Sequence, residues 1–107
     1  MAVQDLDDST FGGALEGASL AVVDFHAGWC GPCIMFKPKF KRISNDYAHI
    51  SFFMVDGEKA PEARKTVQIE NLPYFAVYRD GAFVAGLSTD KEDRFRAFVE
   101  EHLGAAP

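Results

Sequence analysis

Cysteine is nearly absent from this chain, with two residues in 107. That excludes a small secreted scaffold held together by several disulfides. Positive charge is also scarce: 11 Lys and Arg stand against 16 Asp and Glu, a net charge of -5. A nucleic-acid binder needs a basic face, so no nucleic-acid partner is expected. No apolar run approaches the ~20 residues that cross a bilayer, so no membrane partner is expected either. The opening stretch, Met1 to Asp8, is polar and acidic and lacks the positive start and apolar core of a secretory leader. A cytoplasmic monomer is the expectation. Repeats, low-complexity tracts and linkers are missing as well. What remains is ordinary globular material, 48% hydrophobic and 25% charged, with ten phenylalanines to fill one core. Residues 1–107 read as a single domain.

Apolar patterning divides the chain into elements. Asp8-Ser9-Thr10 can open a short helix through Leu15, weakened by Gly12 and Gly13. "SLAVVDFHA", from Ser19, is an apolar run broken only by Asp24, which predicts a strand buried on both faces. In "GPCIMFKPKFKRISNDY", Phe36, Phe40, Ile43 and Tyr47 form one helical stripe, and Pro38 inside it should kink the helix. "ISFFMVD" predicts a second buried strand, and Pro61 opens a short helix through about Val67. "PYFAVYRDGAFVAG" reads as a hairpin turning at Asp80-Gly81. Thr89 and Glu92 suggest a capping box for a last helix carrying Phe95, Phe98 and Val99, with Gly104 beyond its end. The order β-α-β-α-β-β-α predicts an α/β fold, a mixed sheet covered by helices.

Both cysteines lie in "AGWCGPC", residues 27–33, where the first long strand meets a helix. Cys30 falls at the helix start and Cys33 one turn further in, so the two sulfurs share a side within bridging distance. Unpaired N–H groups and the positive dipole end favour a thiolate there, so Cys30 should titrate low. Pro32 suits the first turn, where it forfeits no helical hydrogen bond. A structural disulfide over so short a loop would constrain the unfolded chain little. A zinc site needs about four ligands, and His26, His49 and His102 are scattered singly. A reversible dithiol–disulfide couple needs one exposed, activated sulfur and one resolving sulfur behind it. That reading is preferred.

"WCGPC" matches the active-site motif of the thioredoxin family letter for letter, and "VVDFHAGWCGPC" extends the match back along the strand. Pro38 falls at that family's kinking helix proline, "NLPYF" at its cis-proline loop, and "RDGAFV" resembles its final hairpin. From about Ser19 to Leu103 the chain resembles a thioredoxin. The resemblance implies the thioredoxin fold, a central mixed sheet flanked by helices. It implies that Cys30 attacks a client disulfide and that Cys33 resolves the mixed disulfide. Asp24 matches the family's buried acid, which exchanges protons with Cys33. Its apolar neighbours independently predict a raised pKa; the alternative is a strand-end carboxylate that reaches water.

The remaining site residues are implied in the same way. Trp29 is an apolar lid and docking surface, or simply an edge aromatic. Gly31 and Pro32 complete the loop, and Leu72, Pro73 and Tyr74 line the docking side. Pro73 is cis by resemblance, with the backbone beside Leu72 pairing with an extended client; a trans proline opening a strand is the other reading. No bound cofactor is implied. Electrons arrive by exchange from a flavin-containing, NADPH-dependent thioredoxin reductase, and disulfide-containing proteins are the clients.

Four positions depart from the family pattern. His26 replaces the usual aromatic, Ile34 a common basic residue, Phe52 a buried lysine, and Tyr74 the usual threonine. Loss of the lysine would raise the pKa of Asp24 further. Ile34 and Tyr74 would make the docking surface more apolar and favour particular partners. His26 is either a cation near the cysteines or a packing residue. The expected function is reduction of protein disulfides. A dedicated donor for few clients and a binding module with incidental redox activity are the rivals.

Overall fold

Nine elements follow one another in a computed structural model that describes residues 3–105. They are β1 (Gln4–Leu6), α1 (Phe11–Glu16), β2 (Leu20–His26), α2 (Gly31–Ser44), β3 (Ser51–Asp56), α3 (Pro61–Arg64), β4 (Tyr74–Arg79), β5 (Ala82–Ser88) and α4 (Glu92–Leu103). The strands form one sheet in the order β1-β3-β2-β4-β5. β3 runs parallel to β1 and β2, whereas β4 is antiparallel to β2 and β5. The sheet is therefore mixed, as the element order implies.

β2 is central and covered on both sides, which explains its unbroken apolar run. On one face Val22, Met54, Phe75 and Val77 meet Phe36, Phe40 and Ile43 of α2 and Phe95, Phe98 and Val99 of α4. On the other, Val23, Phe25, Val55 and Tyr78 meet Phe11 and Leu15 of α1 and Ala63 of α3. Phenylalanine supplies the contact between α2, α4 and the sheet: Phe75 and Phe95 lie 4.6 Å apart, and Phe36 and Phe75 5.1 Å. Each such ring, fully buried, contributes about 1.5–3 kcal/mol. The stripe from Phe36 to Tyr47 is buried throughout, although α2 ends at Ser44 and a turn carries Tyr47 inward. α2 continues through Pro38. At the hairpin, Asp80 (φ 52°) and Gly81 (φ 83°) adopt the left-handed conformations that a two-residue turn requires.

Four local features differ from expectation. β1 has no signature in sequence, because only Leu6 of its three residues is buried, and it exists by pairing with β3. α1 starts at Phe11 rather than Asp8. The Asp7 carboxylate accepts from the N–H groups of Ser9 and Thr10, while Asp8 turns away to cap α3, accepting from the N–H of Ala63 at 2.8 Å. α3 itself ends at Arg64, short of Val67. No capping box forms on α4, whose first residue is Glu92. Thr89 accepts from the Lys91 N–H instead, and Glu92 is drawn to Arg42 of α2 (2.6 Å) and to Arg96 (3.1 Å). Two guanidinium groups offer more than one backbone amide does.

Candidate active site

Cys30 occupies the N-cap of α2 with extended backbone (φ -87°, ψ 106°), and Gly31 and Pro32 form the first helical positions. This geometry leaves the first backbone donors of the helix pointing at the cap. One of them, the Cys33 N–H, donates to the Cys30 Sγ at 3.2 Å. The two cysteines are joined in a disulfide, their Cα atoms 5.3 Å apart. Both are 4% exposed, so the expected contrast between an open Cys30 and a buried Cys33 is absent from residue exposure in this oxidised state. Ala27 and Leu72 pack around the bonded pair. The asymmetry lies in the backbone: Cys30 is the cap that accepts, and Cys33 sits inside the helix.

Asp24 lies in the interior of β2, opposite Met54 on one neighbour and Phe75 on the other. Its side chain is fully buried, and neither carboxylate oxygen has a hydrogen-bond partner among the described residues. Burial pushes its pKa up to about 8, with the positive charge of Lys37 opposing. The strand-end reading, in which the carboxylate reaches water, is therefore overturned. Phe52 is buried on the same face, against Phe40 and Tyr47, so β3 brings no cation toward the acid there. The charge that Asp24 feels comes from α2. His26 closes β2 opposite Asp56, and burial is the main influence lowering its pKa, with Asp56 opposing. That favours a neutral packing side chain over a cation.

Trp29 is 69% exposed, and its indole N–H donates to the Glu58 carboxylate at 3.1 Å. It is neither an edge filler nor a tight cover, but a tethered apolar surface beside Cys30. The Leu72–Pro73 peptide bond is cis. A groove of about 300 Å³ runs past Trp29, Cys30, Gly31 and Pro32 to Leu72, with Arg64 on its wall. A second, of about 200 Å³, continues from Pro32 and Leu72 past Pro73 to Thr89. The two share Pro32, Asn71 and Leu72, so they adjoin as one furrow beside the disulfide. Tyr74 does not line it: its ring packs on Phe25 at 6.3 Å, on the opposite face of the sheet from α2. Ile34 and Met35, at 60% and 71% exposure, extend the apolar surface along α2.

The fold thus gathers Trp29, Cys30, Gly31, Pro32, Leu72 and Pro73 around the furrow, with Asp24 buried and Tyr74 turned away. Glu58 and Arg64 escaped the sequence reading. Neither carries a local signal, since Glu58 meets Trp29 across 29 positions and Arg64 reaches the furrow by lying over Gly57. Among the described residues no helix is long and apolar enough to cross a membrane.

Comparison with known proteins agrees with this geometry. The thioredoxin family model matches residues 2–101. An H-type thioredoxin of Chlamydomonas reinhardtii is 40% identical over 85 residues, covering 78% of this chain and 75% of the relative. Among solved structures, a thioredoxin of Plasmodium falciparum superposes with a TM-score of 0.88 at 28% identity, covering 92% of this chain and 98% of the other. The thioredoxin f2 solved in complex with ferredoxin:thioredoxin reductase has a TM-score of 0.87 at 25% identity, covering 92% and 93%. With sequence, fold and paired cysteines in agreement, this chain belongs to the thioredoxin family and is a thiol–disulfide oxidoreductase.

Proposed function

We propose that the protein reduces disulfides in client proteins, with Cys30 as nucleophile, Cys33 as resolving thiol and Asp24 as proton acceptor. The observation that carries this reading is the Cys30–Cys33 pair at a helix N-terminus, bordered by an open furrow. In the reduced state the Cys30 thiolate attacks one client sulfur, and the client's other sulfur leaves as a thiolate. Cys33 then gives its proton to the Asp24 carboxylate and attacks the Cys30 Sγ. The second client sulfur departs, and the Cys30–Cys33 disulfide remains. Two electrons pass to the client, and its two thiolates take up protons.

Trp29, Gly31, Pro32, Leu72 and Pro73 hold the client segment in the furrow, its main chain alongside residues 71–73. Recharging needs two electrons from a reductase. The reading carried from family resemblance is a flavin-containing enzyme that draws on NADPH. The related thioredoxin f2 engages a ferredoxin:thioredoxin reductase, which makes that enzyme the alternative donor. A reducing compartment such as the cytoplasm suits a couple that must be regenerated in this way.

Insulin reduction in the presence of dithiothreitol tests the proposal. The wild-type protein should accelerate precipitation of the insulin B chain, and Cys30→Ser should fall to the uncatalysed rate. Equal rates for the two would leave the chain a binding module. Exposed Ile34 and Met35 beside the site favour a restricted client set. Trapping with Cys33→Ser should capture few proteins, whereas a general reductant captures many.

A further inference from the structure

On the docking side of the furrow, which Ser88 itself lines, β5 makes two contacts that bracket the Leu72–Pro73 bond. Tyr74 follows Pro73, and its phenol lies across β5 on Gly86. A Cβ at position 86 would stand 1.7 Å from the Tyr74 hydroxyl oxygen and 2.3 Å from Cζ. Only glycine leaves room for the ring. On the other side of the bond, the Ser88 hydroxyl donates to the Asn71 carbonyl at 2.8 Å. Strand register makes the two contacts parts of one arrangement, since Tyr74 pairs with Ser88 and Ala76 with Gly86. The end of β5 therefore fixes the residue before Leu72 and the residue after Pro73.

We propose that Ser88 and Gly86 are positioning residues for client docking. They hold the main chain of residues 71–74 at the height where an extended client segment pairs with it. They act on how well a protein client is held and not on sulfur exchange itself. A docking edge that is already ordered spares the client the entropy of ordering it. The inference rests on the reading that residues 71–73 form the docking edge.

The test compares two substrates, insulin and the small disulfide 5,5′-dithiobis(2-nitrobenzoate), which is too short to lie along the edge. For Ser88→Ala, the ratio of insulin kcat/KM to the small-disulfide rate should fall about two- to tenfold, the span of one neutral hydrogen bond. The loss should appear in KM. Ser88→Thr keeps the hydroxyl and should restore the ratio. Gly86→Ala should lower the same ratio, and adding Tyr74→Thr should recover it by removing the ring. An unchanged ratio in Ser88→Ala, a parallel fall of both rates, or failure of the threonine to rescue would overturn the inference. Pro73→Ala separates it from the reading beneath it. If Pro73→Ala leaves the insulin KM unchanged, the docking edge is misplaced. If it raises KM while Ser88→Ala does not, only the positioning role fails.

Discussion

The backbone N–H of Cys33 donates to the sulfur of Cys30 at 3.2 Å, so the resolving residue also stabilises the attacking one. The relation is one-directional, because Cys30 is the helix cap and Cys33 lies within the first turn. After reduction, the same N–H and its neighbours face a Cys30 thiolate at the positive end of the helix.

Cys30 should therefore titrate first. The helix-terminal N–H groups and the positive dipole end hold its thiol below that of Cys33. Alkylation of the reduced protein across pH, with each cysteine followed by mass spectrometry, checks this. Earlier reaction at Cys33 would reverse the assigned roles.

Asp24 should make the fold weaker as pH rises. Its folded pKa of about 8 lies above the ordinary aspartate value of 3.8, so it stays protonated in the folded protein after the unfolded chain has ionised. The stability it costs is nil below about pH 4, grows up to about pH 8, and is constant above, reaching on the order of 5 kcal/mol. Asp24→Asn should flatten that slope and raise Tm at pH 8. The same variant should slow resolution of the mixed disulfide above pH 8 on the order of a hundredfold, as expected for loss of a general base. A normal resolution rate together with a flattened stability profile would make Asp24 structural only.

At acid pH the slope should run the other way because of Glu92. Hydrogen bonds first from Arg42 and then from Arg96 push its pKa down to about 2 from 4.5. Its contribution is present above about pH 4.5 and is lost as pH falls through 2. Melting curves between pH 5 and pH 2 should be less steep in pH for Glu92→Gln than for wild type. An identical profile would mean that the ties from Glu92 to Arg42 and Arg96 carry no acid sensitivity.

Particular residues show how much of this was legible in advance. The run around Asp24 announced both a doubly covered strand and a raised pKa, because burial follows from composition within a few residues. The stripe from Phe36 to Tyr47 survived the end of its helix, since a buried aromatic needs only to face the core. Asp8 and Glu92 were misread for the opposite reason. Each has a plausible partner close by in sequence and a better one brought from 50 or more positions away.

By itself, the sequence determined the alternation of strands and helices, the single sulfur pair at a helix start, and the apolar run that surrounds Asp24. These depend on period, on local turn chemistry and on the apolar character of near neighbours. Tertiary structure decided which groups meet: Glu58 with the Trp29 indole, Tyr74 over Gly86, Ser88 on Asn71, and equal burial of the two cysteines once bonded. Hydrogen bonds and close approaches are short-ranged in space and have no range in sequence, so they exist only after the sheet has set the register.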